Sequence, residues 1–367
     1  MIFLKRKGKF LKTVKIALSF ILISAAVFCI CRRVPECFKS QDPAVLAAAA
    51  FTLTDGSYKI SSPEKSEKAT SQSSYVEKQL PTQVSQESTT APQKRDKSEY
   101  YDSFADHNDE AKYEIAEKTY GADGTQVDDC YIKNKTGLDL DFEKILKDKL
   151  TFDVKNNTDS AQVLIYHTHT TEGYMDEDVD YFYDSFYSRT QDKNFSVVSV
   201  GEAICNELNK KGIKTIHDKT IHDSTYNGSY DRSVQTVESN MDKNKDIKVV
   251  IDIHRDAIGT DECKIKPVFT YNGQKAAQIM IMSGCDTDGE MGFTSWQNNL
   301  NFALKIQNKA EQLYPGMTRP LDFGYFAYNE YVCDGSLLIE VGTEANSVDE
   351  ATRSGALLGN VLYEVLK

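Results

Sequence analysis

No two of the eight cysteines stand in C-x-x-C spacing, which leaves no basis for a thiolate zinc ribbon or a thioredoxin-like redox pair. Cys29, Cys31 and Cys37 lie near the N-terminus. Cys130, Cys205, Cys263, Cys285 and Cys333 are scattered, an odd set that reads as small buried hydrophobes rather than a disulfide framework. Also missing are a G-x-S-x-G nucleophile elbow, an H-E-x-x-H helix, a G-x-G-x-x-G turn and a Walker loop. The common signatures of serine hydrolases, zincins and nucleotide binders therefore do not apply. Positive charge is in deficit as well. A net charge of −12 argues against a nucleic-acid partner, because phosphate affinity needs clustered Lys and Arg. Nor is an acidic surface drawn to anionic lipid, so any membrane attachment needs its own segment.

The N-terminus supplies one. Lys5, Arg6, Lys7, Lys9, Lys12 and Lys15 precede an apolar run from Ile16 to Cys31, closed by Arg32 and Arg33. The run is slightly short for a span unless the flanking lysines snorkel. The upstream charge would hold the N-terminus in the cytoplasm and send the rest outside. Residues 1–33 are therefore expected to be a cytoplasmic stub and transmembrane anchor. The competing reading is a signal peptide cleaved near Ala44 to Ala50. Residues 34–112 are expected to form a flexible polar linker, dominated from about Thr54 by Ser, Thr, Gln, Lys and Glu.

Residues 113–367 read as one α/β domain, a mostly parallel central sheet with helices on both faces. Short β-branched runs, AQVLIYH (161–167), IKVVIDIH (247–254), AQIMIMSG (277–284) and SLLIEVG (336–342), predict buried strands. Helical patterns run from Val198 to Lys211, Asp231 to Asp242, Trp296 to Leu313 and Val348 to Leu366. The stretch from Tyr113 to Asn157 predicts at most an extra strand or helix, and no repeat is evident.

The chemistry gathers at strand ends, where ligands collect in such sheets. His167, His169 and Glu172 follow VLI in YHTHTTEGY; His254 and Arg255 end IKVVI; Glu340 stands late in LLIEVG. Imidazole and carboxylate from neighbouring strand ends suit zinc, which in hydrolytic sites takes three protein ligands and keeps one position open. A further carboxylate must then shuttle the proton, and Glu340 is the candidate. Extended geometry puts His167 and His169 on one side of the chain, and spacing does not choose between them. The later position favours His169 as ligand, leaving His167 to orient a ligand or touch substrate. In IHDKTIHDSTYNGSYDRS, His217 and His222 are better explained by structural or substrate-contact roles than by a shared metal. Arg232 and Arg255 are candidates for holding carboxylates of an acidic peptide, or for pairing with Asp223 and Asp256. Tyr230 joins them as a substrate-contact candidate. The aromatic run Tyr181, Phe182, Tyr183, Phe186 and Tyr187 reads as loop packing.

Taken in order, LIYHTHTTEGY, VGEAICNELNKKGI, HDKTIHDSTYNGSYDRS, VVIDIHRDA and LLIEVGTEAN resemble the stage II sporulation protein P family of spore-forming bacteria, from about Gln162 to the C-terminus. The resemblance implies a fold similar to the zinc N-acetylmuramoyl-L-alanine amidases and a peptidoglycan hydrolase with amidase and endopeptidase cuts. It implies a Zn²⁺ cofactor and places the protein on the mother-cell membrane at the sporulation septum, working in engulfment. Stage II sporulation proteins D and M are the partners implied. His169 then matches the first ligand, His254 the second imidazole and Glu340 the catalytic Glu. Glu172 departs from the amidase layout, in which the ligand Glu opens a helix well downstream; Glu202 is its rival there. The alternative function is a catalytically silent wall-binding scaffold that recruits other hydrolases.

Overall fold

The computed structural model describes residues 110–367, which fall within the compact unit Pro92–Lys367. The expected anchor and nearly all of the expected linker lie outside the described residues. Among the described residues, no helix is long and apolar enough to cross a membrane.

In chain order the elements are β1 (Lys112–Lys118), β2 (Thr125–Val127), β3 (Cys130–Asn134), α1 (Phe142–Lys147), β4 (Val163–Tyr166), β5 (Tyr181–Tyr183) and α2 (Val197–Lys210). There follow β6 (Thr215–His217), α3 (Ser229–Lys243), β7 (Val249–Asp256), β8 (Cys263–Tyr271), β9 (Gln274–Ala277) and β10 (Ile279–Gly284). The chain closes with α4 (Trp296–Leu313), β11 (Leu321–Gly324), a 3₁₀ turn (Glu330–Val332), β12 (Gly335–Thr343) and α5 (Val348–Leu366). The four β-branched runs form β4, β7, β10 and β12, and the four helical patterns form α2 to α5.

The main sheet has eight strands in the order β2-β3-β11-β10-β12-β7-β4-β6. It is antiparallel only where β2 meets β3 and β10 meets β12, so the sheet is mostly parallel. Alternation along each strand sorts its side chains. Val163, Ile165, Val249, Ile251, Ile253, Leu337, Ile339 and Val341 enter one core with residues of α2, α4 and α5. Leu164, Tyr166 and Val250 turn the other way and meet Val237 of α3. Burying a large aliphatic side chain contributes about 1.5–3 kcal/mol, so the first, larger core dominates the fold.

Helices thus stand on both faces, but unequally. α2, α4 and α5 line one face, whereas α3 covers only the β4 end of the other. Beyond it that second face is a cavity floor rather than a helix contact. A second sheet, β5-β1-β8-β9, brings the start of the domain against its middle, with β1 parallel to β8. The Tyr113 to Asn157 stretch therefore supplies strands to both sheets, more than its sequence pattern predicts.

Candidate active site

Cross-strand register fixes which side chains share the open face. His254 of β7 stands beside Glu340 of β12, which stands beside Met280 of β10. The next row runs Asp252, Leu338, Met282, Asp322 and Lys133 across β7, β12, β10, β11 and β3. The β12 ladder shifts register between Glu340 and Thr343, where Gly342 takes φ 66°, so a bulge follows Glu340 directly. Above this face lies a cavity of about 560 Å³, lined among others by His169, Glu172, Tyr226, Tyr230, His254, Tyr328 and Glu340.

His169, Glu172, His254 and Glu340 therefore converge, although they come from a loop and two strands. The His169 and His254 rings are 5.3 Å apart edge to face, and Tyr226 stacks flat on His169 at 4.7 Å. Nδ1 of His254 lies 3.4 Å from Glu172 Oε2, and its Nε2 lies 3.0 Å from Asp252 Oδ1. The second contact is close but out of line, so that buried Nε2 has no hydrogen-bond partner. Burial works against charge on His254, yet Asp252 and Glu172 on either side hold its pKa well above the usual range. Burial likewise resists ionisation of Glu172, but His254, followed by Arg255, outweighs it and holds the carboxyl low. His169 also has two carboxylates near it, Glu172 and, at 3.9 Å, Asp223, but burial outweighs them and lowers its pKa.

Glu340 differs from every other carboxylate at the site. Burial, reinforced by Glu172 and Asp256, pushes its pKa up to about 8, with His254 opposing, and its Oε2 has no hydrogen-bond partner. A carboxyl of that proton affinity is suited to taking and returning a proton near neutrality. The donor set of two imidazoles and a carboxylate is one that zinc accepts, and the orphaned His254 Nε2 and Glu340 Oε2 show polar atoms without protein partners beside it. Among the described residues no three His, Cys, Asp or Glu side chains already stand in ligating geometry.

The other candidates lie elsewhere. β4 ends at Tyr166, so the chain turns before His169 and the two imidazoles do not share a side as expected. His167 keeps the strand's alternation and points under α2, where its Nδ1 donates to Ile253 O at 2.9 Å and its Nε2 meets His217 Nε2 at 2.8 Å. Glu202 pairs with that same His217 at 3.0 Å, outside the cavity. His222 is used up by His167 O and Thr236. Arg232 donates to the carbonyls of His222, Asn227 and Thr225, stapling the loop before α3. Arg255 donates to Gly173 O and to Ser188, while its backbone N–H donates to Glu172 at 3.1 Å. Of the substrate-contact candidates, Tyr230 alone lines the cavity.

The sequence profile described as Stage II sporulation protein P (SpoIIP) matches residues 48–363. The chain belongs to the stage II sporulation protein P family. The stage II sporulation protein P of Bacillus subtilis (strain 168) is 27% identical over 226 residues, 56% of this chain and 51% of that protein. The chain thus spans about half the length of the curated relative it matches. Among solved structures, the CwlD amidase of Clostridioides difficile in complex with the GerS lipoprotein is 11% identical and overlaps with a TM-score of 0.35, covering 56% of this chain and 98% of that one. The catalytic domain of CwlV, an N-acetylmuramoyl-L-alanine amidase of Bacillus (Paenibacillus) polymyxa var. colistinus, is 13% identical with a TM-score of 0.31, covering 56% and 99%.

In this member of the family, four site residues escape sequence reasoning. Arg189, not Arg232, pairs with Asp223 at 2.7 Å, and also approaches Glu172 at 3.7 Å. Arg319, not Arg255, pairs with Asp256 at 2.8 Å. Asp252 was readable as the residue two before His254 on the same strand face, and it backs the imidazole while accepting from Thr168 N–H and Oγ1 at 2.8 and 2.6 Å. Tyr328, held at φ 37°, completes the aromatic rim; nothing in its local sequence signals that placement.

Proposed function

We propose that the protein is a zinc-dependent peptidoglycan hydrolase, an N-acetylmuramoyl-L-alanine amidase and endopeptidase that degrades septal cell wall during sporulation engulfment. One observation carries this reading: two imidazoles, a low-pKa carboxylate and a high-pKa carboxyl meet in one cavity at strand ends. His169, Glu172 and His254 would hold the metal, which when bound acidifies water and polarises a carbonyl. Glu340 takes the proton of the attacking water and returns it to the leaving amine. Asp252 and the Arg255 backbone N–H keep His254 and Glu172 in place.

Family membership supports the sporulation setting, with stage II sporulation proteins D and M as partners. The charged and apolar N-terminal pattern supports a single-pass anchor over residues 1–33 with the catalytic domain, residues 113–367, outside the membrane on a linker of residues 34–112. The test uses the full chain in detergent, with zinc content and release of stem peptides from purified peptidoglycan as the two measurements. Glu340→Gln should keep one equivalent of zinc and lose cleavage by about 10²-fold or more, and His169→Ala should lose both. Wild-type protein that is folded, metal-free and inert would move the function to a wall-binding scaffold.

A further inference from the structure

Glu172 stands at Nδ1 of His254 and Asp252 at its Nε2. From Asp252 a row of polar side chains leads away from the cavity, and none of them lines it. Thr168 Oγ1 is 2.6 Å from Asp252 Oδ2 and 2.7 Å from Ser233 Oγ. Ser233 Oγ is in turn 3.0 Å from Asn329 Nδ2. All four residues are buried, and they come from the loop after β4, from α3, from β7 and from the β11–β12 loop.

Counting protons gives the row a direction. A carboxylate only accepts, so the single hydroxyl proton of Thr168 points to Asp252. Two hydroxyl oxygens 2.7 Å apart need a proton between them, and it must then be that of Ser233. Ser233 is drawn to this donation although Tyr230 O lies within reach at 3.1 Å. It is left as an acceptor towards Asn329, whose amide nitrogen donates and cannot accept. The amide is not free to turn over. Its Nδ2 also donates to Tyr230 O at 3.3 Å, and its Oδ1 accepts from the Tyr331 hydroxyl at 3.4 Å. The backbone selects the same residue type. Tyr328 and Asn329 take φ 37° and 61°, two left-handed residues in succession without glycine, a conformation that Asn tolerates better than most.

We infer that Asn329 is a positioning residue for Asp252 and, through it, for His254. As the donor that starts the row, it turns the Ser233 and Thr168 hydroxyls so that both donate towards the carboxylate. Without it Ser233 can give its proton to Tyr230 O, and the contact with Thr168 loses its hydrogen bond. The consequence for a metal on His254 rests on the hydrolase reading; the row itself does not.

Two measurements on the full chain in detergent test this: zinc Kd by competition with a chromophoric chelator, and hydrogen exchange of the metal-free protein over the peptide holding Thr168. Asn329→Gly keeps the left-handed backbone and removes the amide. It should weaken zinc about tenfold, the scale of losing an outer partner of a metal ligand. Protection of the Thr168 N–H, which donates to Asp252 Oδ1, should be lost while that of β12 stays. Thr168→Val removes the hydroxyl and should weaken zinc about as much, again about tenfold; Thr168→Ser should restore wild-type affinity. Because Asn329 acts through Thr168, Asn329→Gly combined with Thr168→Val should bind zinc no worse than Thr168→Val alone, whereas independent structural damage would multiply. An unchanged zinc Kd in Asn329→Gly, or penalties that multiply, overturns the positioning role and leaves the hydrolase. Wild-type protein that binds no zinc, yet loses Thr168 protection in Asn329→Gly, overturns the hydrolase and keeps Asn329 as the residue that positions Asp252. Should Asn329→Gly not fold, Ser233→Ala cuts the row one link nearer Asp252 and carries the same expected and overturning results.

Discussion

Glu330 and Glu340 are both raised by burial, and their settings decide what that means. Glu330 opens the 3₁₀ turn and is fully buried; one oxygen accepts from Gly284 N–H at 3.0 Å and the other has no hydrogen-bond partner. Desolvation holds its pKa well above the carboxylate range. Its protonated form is therefore the one the fold prefers. That contribution is complete below the unfolded pKa of about 4.3 and is lost as pH rises towards the folded value. Glu330→Gln keeps an acceptor for Gly284 and removes the titration. Its melting temperature should equal wild type near pH 4 and exceed it near pH 8, by about 2–4 °C for each kcal/mol gained. A variant no more stable than wild type at pH 8 would show that Glu330 has a partner strong enough to keep it charged. Glu340 is raised from the same cause but sits at a cavity, where the proton has somewhere to go. Sequence reasoning could name Glu340, because a Glu late in a buried strand has few structural uses. It could not assign the arginines. Arg189 and Arg319 reach Asp223 and Asp256 from 34 and 63 positions away in the chain, so no local spacing reveals the pairs.

At the scale of elements, the same division holds between local and distant information. α4 and α5 were legible to the residue because apolar periodicity is local, and α5 also opens with a Ser347 and Glu350 capping box. The second sheet was not. β1 pairs with β8 across some 150 residues, and the buried Lys266 on β8 breaks the apolar pattern while bonding with Glu117 and Asp178. The way α5 approaches α2 was likewise hidden, although its cause is in the sequence. A Cβ at Gly355 would stand 2.8 Å from Val200 O, and one at Gly359 would stand 2.9 Å from Glu207 Cβ and 3.0 Å from Ile204 O. Two glycines one turn apart thus allow the helix backbones to touch. Gly355→Val should push α5 off α2 and destabilise by about 1–3 kcal/mol, the usual cost of overpacking. The check is chemical denaturation, with the midpoint falling and the slope unchanged. A midpoint equal to wild type would mean the helices can separate freely, and the small residues would need another explanation.

Considered whole, the molecule puts its large core on one side of the sheet and leaves much of the other side as a cavity floor. The costs of that arrangement concentrate at the site, where His254 and Asp252, and Glu172 beside them, bring two carboxylates and an imidazolium into one buried space. Such a cluster holds together only while every charge is matched. A divalent ion in the same place would replace the proton on His254 and match both carboxylates at once, so binding should stabilise the native chain and not the unfolded one. At free zinc a hundredfold above Kd the gain is about 2.7 kcal/mol, which raises the melting temperature by several degrees. Chelator should reverse the rise. His169→Ala should abolish it, whereas Glu340→Gln, which removes the proton carrier and no ligand, should keep it. Zinc held only by surface carboxylates would raise all three proteins alike, so a shift surviving in His169→Ala would remove the metal from this cavity. A shift lost in both variants would instead place Glu340 among the ligands and leave the proton transfer without its residue.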